Sequence, residues 1–193
     1  MPIMREFLRH PFLTGAVAPS SPRLARAMTE GLGLESASVV VELGPGTGAI
    51  TEAILQRINP RARLVVVELN RALADELAFR FAGQPVQVLH DSAANLARLV
   101  PGPIDVVVSG LPWTVMAAHQ QRRILDAIAR SLGPSGRFST FAYLHAGWTP
   151  PARRFTEELA RRFAVVQRSG VVWHNLPPAY VHRAAVSVKA AVV

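Results

Sequence analysis

The sequence predicts an α/β fold: a mostly parallel sheet of seven strands with helices on both faces and an antiparallel hairpin at its C-terminal end. Three observations lead there. Short apolar runs alternate with helix-period stretches between residues 39 and 163, the pattern of strand–helix crossovers. The first apolar run ends in a glycine-rich turn, Gly44-Pro45-Gly46-Thr47-Gly48, placed where a helix begins. The last two runs are separated only by Asn175-Leu176-Pro177-Pro178-Ala179-Tyr180, too short for a helical crossover, so those two strands must be antiparallel.

Taken in order, residues 3–10 are expected to form a short amphipathic helix. Ile3, Met4, Phe7 and Leu8 share one face, Arg5, Glu6, Arg9 and His10 fill the other, and Pro11 ends it. Ser20 or Ser21 caps a second helix with Pro22 in its first turn, running to about Leu32 where Gly31 and Gly33 mark the exit. Strands are expected at Val39–Leu43, Leu64–Glu68, Val86–His90, Ile104–Ser109, Phe138–Leu144, Val165–Trp173 and Val181–Ala190. Helices are expected at Ala49–Ile58, Arg71–Phe81, Ala93–Leu99, Ala117–Ser131 and Ala152–Phe163. Two parts are expected, an N-terminal helical segment over 1–33 and a catalytic domain over 34–193.

Half of the 193 residues are hydrophobic, enough for a full core. The chain has no cysteine, which excludes disulfides, thiolate metal sites and thiol nucleophiles. The net charge of +8 favours a polyanionic partner, nucleic acid or an anionic membrane surface. No apolar run is long enough to span a bilayer, and MPIMREFLRHPF lacks a signal-peptide core. The expected location is cytoplasmic, or peripheral on the inner face of the cell membrane.

In folds of this type ligands sit beyond the carboxyl ends of the strands. The first loop fits two templates. Gly44, Gly46 and Ala49 match a dinucleotide fingerprint built for pyrophosphate. Glu42 with Gly44, Gly46, Thr47 and Gly48 equally fits the nucleoside loop of methyltransferases, which holds a sulfonium and an amino-acid tail. Glu68, with Leu69 and Asn70, ends the second strand about 20 residues beyond Gly46 and suits ribose hydroxyls in both templates. At the third strand end, Asp91 can take an adenine amine, with Ser92 and Ala93 pairing the ring edge; Asp91 also suits a helix N-cap. The fourth strand ends in Ser109-Gly110-Leu111-Pro112-Trp113, a proline–aromatic turn where a methyl acceptor would lie, which favours the sulfonium reading.

The chain resembles the rRNA adenine dimethyltransferase-like superfamily of class I S-adenosylmethionine-dependent methyltransferases. The similarity is carried by Val40–Gly48, Glu68-Leu69-Asn70 and Asp91-Ser92-Ala93. Within it, Gly15–Ser21, Ser109–Trp113 and Asn175–Ala179 are similar to the bacterial phospholipid N-methyltransferase branch. The resemblance implies a Rossmann-like fold and S-adenosylmethionine as methyl donor, leaving S-adenosylhomocysteine. It implies successive methylation of phosphatidylethanolamine towards phosphatidylcholine, with no metal and no nucleic-acid partner. The RNA enzymes resemble Asn-Leu-Pro-Tyr at the fourth strand end, whereas Gly110 offers no side-chain acceptor.

The amine must lose a proton before it attacks, either to a base or in a dry pocket that lowers its pKa. Tyr143, His145, Tyr180 and His182 are the candidates near strand ends, and alternation puts Tyr180 and His182 on one face. Trp113 is the first choice to hold a methylated ammonium, with Tyr180 second. His119, within a helix, is set aside. Ile3, Met4, Phe7 and Leu8, with Arg5 and Arg9, suit a reversible interfacial contact, or a helix packed over the ligand. Arg154, Glu158 and Arg162 are spaced for ion pairs along a solvated face. Two other functions stay open: an RNA adenine N6-methyltransferase and a non-catalytic cofactor-binding module.

Overall fold

The computed structural model describes residues 20–187; the helix expected over 3–10 lies outside them. Seven strands form one sheet in the order β3-β2-β1-β4-β5-β7-β6: β1 (Val39–Leu43), β2 (Arg63–Glu68), β3 (Val86–His90), β4 (Ile104–Ser109), β5 (Leu132–Tyr143), β6 (Val165–Arg168) and β7 (Ala179–Ala185). Pairing is parallel from β3 across to β5, and β7 lies antiparallel to both β5 and β6. The expected α/β architecture with its antiparallel end is therefore the observed one.

The helices are α1 (Pro22–Thr29), α2 (Ala49–Leu55), α3 (Arg71–Arg80), α4 (Leu96–Leu99), α5 (Ala118–Ser131) and α6 (Pro150–Ala160). Alternate residues of the central strands feed two cores. Val40, Val66, Val106, Val108 and Val181 pack under α1 and α2, while Val41, Val65, Val107 and Phe138 pack under α4, α5 and α6. Burial of the strands on both faces explains their near-continuous valine runs. No helix among the described residues is long and apolar enough to cross a membrane.

Where boundaries differ from expectation, side chains have taken over backbone partners. Ser21, not Ser20, caps α1, its Oγ accepting from the Leu24 amide. The helix stops at Thr29 because Arg183 of β7 binds the final-turn carbonyls of Ala27 (2.7 Å) and Glu30 (3.0 Å). The expected strand through Trp173 ends at Arg168, since Ser169 Oγ accepts the Val181 amide at 2.9 Å and leaves only an isolated Val172–Ala179 bridge. β5 begins earlier than expected. Leu132 already pairs with Ile104, and residues 133–136 bulge out before Arg137 pairs with Val106. α6 begins at Pro150, where two prolines fill first-turn positions whose amides need no partner.

The expected solvated ion-pair face of α6 is corrected. Glu158 is buried and pairs with Arg161 (3.1 Å) and Arg162, while Arg162 also reaches Asp126 of α5 at 2.8 Å. Arg154 takes no part, and its Nε is buried without a partner. The pair thus clamps α6 onto α5. The Arg162 hydrogen bond holds the Glu158 carboxyl below its usual range, so its contribution is present at neutral pH and lost as pH falls. Glu158→Gln is expected to lower the urea midpoint at pH 7, and the difference from wild type should close as pH is taken below 4.

Candidate active site

One cavity of about 1250 Å³ opens at the carboxyl end of the sheet, walled by the loops after β1 to β5 and by the start of β7. It sits where β1 and β4 lie side by side while the helices that follow them go to opposite faces, the point at which open α/β sheets form a crevice.

The three loop glycines divide their work. At Gly46 (φ +56°) a Cβ would meet open space, so backbone there can be approached by a ligand. At Gly44 (φ +68°) it would press 2.7 Å from Leu111 Cδ2, and at Gly48 (φ +84°) 2.9 Å from Leu77 Cδ2. Gly44 and Gly48 therefore serve packing and left-handed backbone. Gly44 still lines the cavity, with Gly46 and Thr47, whereas Gly48 does not. Gly110 is constrained more tightly: its Cβ would lie 2.4 Å from the Gly44 carbonyl oxygen.

Glu42 lies buried beneath the loop, off the cavity wall. Its Oε2 accepts the Thr51 hydroxyl at 2.6 Å, and its Oε1 is buried without a partner. Burial raises its pKa to about 8, so the apo side chain is protonated at neutral pH. Glu68 lines the wall, its carboxyl raised by burial but held by backbone amides, that of Asn70 at 2.8 Å. Leu69 beside it is an exposed apolar side chain on the wall. Asn70 caps α3 by accepting the Ala72 and Leu73 amides and stands off the wall.

Asp91, Ser92 and Ala93 line the wall together. The Asp91 carboxylate accepts from Asn95 (2.7 Å), the Ser92 amide (2.6 Å) and Arg98 (2.6 Å), which hold its pKa down and fix it as an anion. Ser92 rather than Asp91 caps the turn of 3₁₀-helix that follows. Gly110 and Leu111 are on the wall; Ser109 is buried behind it, accepting the Leu111 amide on Oγ and the Thr140 hydroxyl on its carbonyl. Free space over Gly46, a wall carboxylate at Glu68 and the apolar Leu69 suit a nucleoside ligand, whereas Glu42, expected to hold its ammonium end, faces the core instead because strand alternation turns it away from the cavity.

The other half of the cavity is aromatic. Trp113 is only 2% exposed. Its indole N–H donates to Thr140 Oγ1 at 2.8 Å, and its ring stacks on Phe155 with centroids 4.8 Å apart. It is a fixed wall, with one face already in use. Tyr180 and His182 share the cavity face of β7, as alternation required, with rings edge-to-face at 5.1 Å. The Arg168 guanidinium lies 3.6 Å from the Tyr180 ring centroid. Burial first, and the Arg168 charge second, push the His182 pKa down to about 4, so its ring is neutral at pH 7. Tyr143 and His145 stack at the mouth, and burial raises the Tyr143 phenol, which keeps it protonated. Among the described residues no cluster of His, Asp or Glu is placed to hold a metal.

Sequence reasoning missed Phe155 and Thr140, which fix Trp113, because both depend on cross-strand register and helix packing. It set aside His119, which lies on the wall in the first turn of α5. It also missed Arg123, the one Arg or Lys side chain on the wall among the described residues, with no ion pair there. Spacing from His119 at i, i+4 was the available signal.

Gly110→Ala is expected to cost about 1–3 kcal/mol in urea denaturation, because the Gly44 carbonyl must move. His182 prefers its neutral form in the fold, so the stability it confers is present above pH 6.5 and lost as pH falls towards 4. His182→Gln should remove this acid-side loss, up to roughly 3 kcal/mol, when denaturation at pH 7 and pH 4.5 is compared.

Residues 40–136 match the family model described as a methyltransferase domain. The chain is 33% identical over 179 residues to the ornithine lipid N-methyltransferase of Singulisphaera acidiphila, covering 90% of this chain and 89% of that one. It is 35% identical over 149 residues to ribosomal RNA small subunit methyltransferase A of Acidobacterium capsulatum, but there it covers 65% of this chain and about half (52%) of the relative. In fold it is similar to magnesium protoporphyrin IX methyltransferase from Synechocystis PCC 6803 with bound S-adenosylmethionine, with a TM-score of 0.68, 12% identity and coverage of 86% and 79% of the two chains. The nucleoside half of the cavity and these likenesses agree: the chain belongs to the class I S-adenosylmethionine-dependent methyltransferases.

Proposed function

We propose that the enzyme methylates the amine of phosphatidylethanolamine and of its mono- and dimethyl derivatives, towards phosphatidylcholine, at the inner surface of the cell membrane. The observation that carries this reading is the acceptor floor. It offers a neutral imidazole, His182, among Phe155, Tyr180 and Trp113, with Gly110 at the fourth strand end where the RNA enzymes resemble an asparagine. Full-length similarity to a lipid N-methyltransferase supports it and makes ornithine lipid the second acceptor to test.

When bound, S-adenosylmethionine supplies an electrophilic methyl group on a sulfonium. The nitrogen lone pair forms the new N–C bond as the C–S bond breaks, its electrons staying on sulfur. The dry floor disfavours the ammonium form of the acceptor, so the amine gives its proton to solvent water as it enters. Neutral His182 then accepts an amine N–H and points the lone pair along the transfer line. Tyr180 meets the methylated ammonium with the ring face that Arg168 leaves open, and Trp113 closes the pocket as a fixed wall. Arg123 meets the headgroup anion, phosphate or carboxylate. Ile3, Met4, Phe7 and Leu8, with Arg5 and Arg9, add a reversible membrane contact from outside the described residues, as part of the N-terminal segment 1–33 that precedes the catalytic domain.

The test offers labelled S-adenosylmethionine with phosphatidylethanolamine vesicles, ornithine lipid vesicles and unmodified ribosomal RNA in parallel. Label in phosphatidylethanolamine is the expected result. Label in ornithine lipid alone moves the headgroup assignment, and label in RNA alone, or in nothing while cofactor still binds, overturns the proposal. Arg123→Ala is expected to raise KM for lipid about tenfold while cofactor affinity holds; a loss of cofactor affinity instead would place Arg123 in the nucleoside half.

A further inference from the structure

Three large apolar side chains stand in solvent beside the cavity mouth: Trp148 at 76% exposure, Trp173 at 67% and Leu176 at 78%. Trp148 follows β5, and the other two precede β7. Their loops are neighbours. The Leu144 amide donates to the Pro178 carbonyl at 2.8 Å, and a Cβ on Gly147 would lie 3.0 Å from the Tyr180 hydroxyl. Residues on either side of Trp148, Gly147 excepted, line the cavity: Ala146 and Thr149. Asn175 anchors the second loop, accepting the Ser21 amide at 3.0 Å and donating to the Pro177 carbonyl at 2.8 Å. The exposed side chains are therefore held on hydrogen-bonded loops, one of them anchored by the buried Asn175, rather than left on slack chain.

We infer that Trp148, Trp173 and Leu176 form a membrane-docking rim that seats the carboxyl end of the sheet on a lipid bilayer. The inference rests on the lipid reading of the acceptor and names the surface that would deliver it. Tryptophan at the headgroup level buries its ring while its N–H stays hydrated, whereas a bare aqueous surface gives such rings nothing. Charge agrees with an anionic bilayer. Loops 110–117, 144–149 and 169–178 contain no Asp or Glu, while Arg153 and Arg168 are exposed near them. Basic side chains near an anionic surface add to the partition of the apolar ones. Seated this way, an amine headgroup enters the cavity from the interface without its acyl chains leaving the bilayer.

The chain's three tryptophans make the test direct, because Trp113 is buried and the other two are the rim. Full-length protein is mixed with vesicles of phosphatidylethanolamine and phosphatidylglycerol. Emission should shift to the blue and be quenched by brominated acyl chains. In W148S/W173S/L176S the remaining Trp113 emission should be insensitive to vesicles, and flotation should show partition reduced about tenfold or more. The same variant should keep wild-type methyl transfer to short-chain phosphatidylethanolamine presented as monomers, which also reports that it folds. If wild type fails on the monomeric lipid, the acceptor reading fails. If it succeeds but the triple substitution leaves vesicle partition intact, or changes only the oligomeric state, the rim is not a membrane surface and the inference is overturned.

Discussion

Everything in the site hangs on the contact between two backbones, those of Gly44 and Gly110. β1 and β4 are parallel neighbours that end at the same level, and Gly110 N–H donates to Leu43 O at 2.9 Å. From there the two chains part, one towards α2 and the other towards α5. The crevice exists because they part, and its depth is set by how closely they run before doing so. With no side chain at either glycine the loops touch, and the nucleoside half and the acceptor half become one continuous cavity. A side chain at Gly110 would wedge the halves apart and push the proline–aromatic turn away from its place on the wall.

The acceptor half then depends on a short polar chain set into an apolar layer. Trp113 Nε1 donates to Thr140 Oγ1, which donates to the Ser109 carbonyl. This ties the turn after β4 to the middle of β5, and the Phe155 stack ties it to α6. Thr140 is also the cross-strand partner of His182. The wall tryptophan and the floor imidazole are thus positioned from one residue, and a neutral ring at His182 is a result of where β7 lies rather than of a dedicated partner. Rigid placement of this kind is what an in-line displacement needs, since alignment supplies much of its rate.

The sheet, its alternation and its antiparallel end were legible because period and spacing reach the backbone directly. So were the four strand-end motifs, since the chain announces each with a glycine, an acid or a proline. Glu42 and Ser109 were less transparent: their sequence position next to ligand-facing residues is real, but strand alternation turns both side chains into the core. Trp113 reads as a cage residue and is observed as a wall because Phe155, distant in sequence, takes one of its faces. Arg123 and His119 carried no local signal beyond one helical repeat. Only the docking of α5 decides which of its faces meets the cavity.

One consequence follows from the position of β7. It comes after β6 in the chain yet lies between β5 and β6 in the sheet. During synthesis, β1 to β4 and the nucleoside loops can associate early, while β5 waits with a bare edge and β6 has no strand to join. The floor of the acceptor half arrives only when Tyr180 and His182 leave the ribosome and slide into that gap. Chain order therefore lets the crevice between β1 and β4 form first, and leaves the wall that carries Tyr180 and His182 to be completed last.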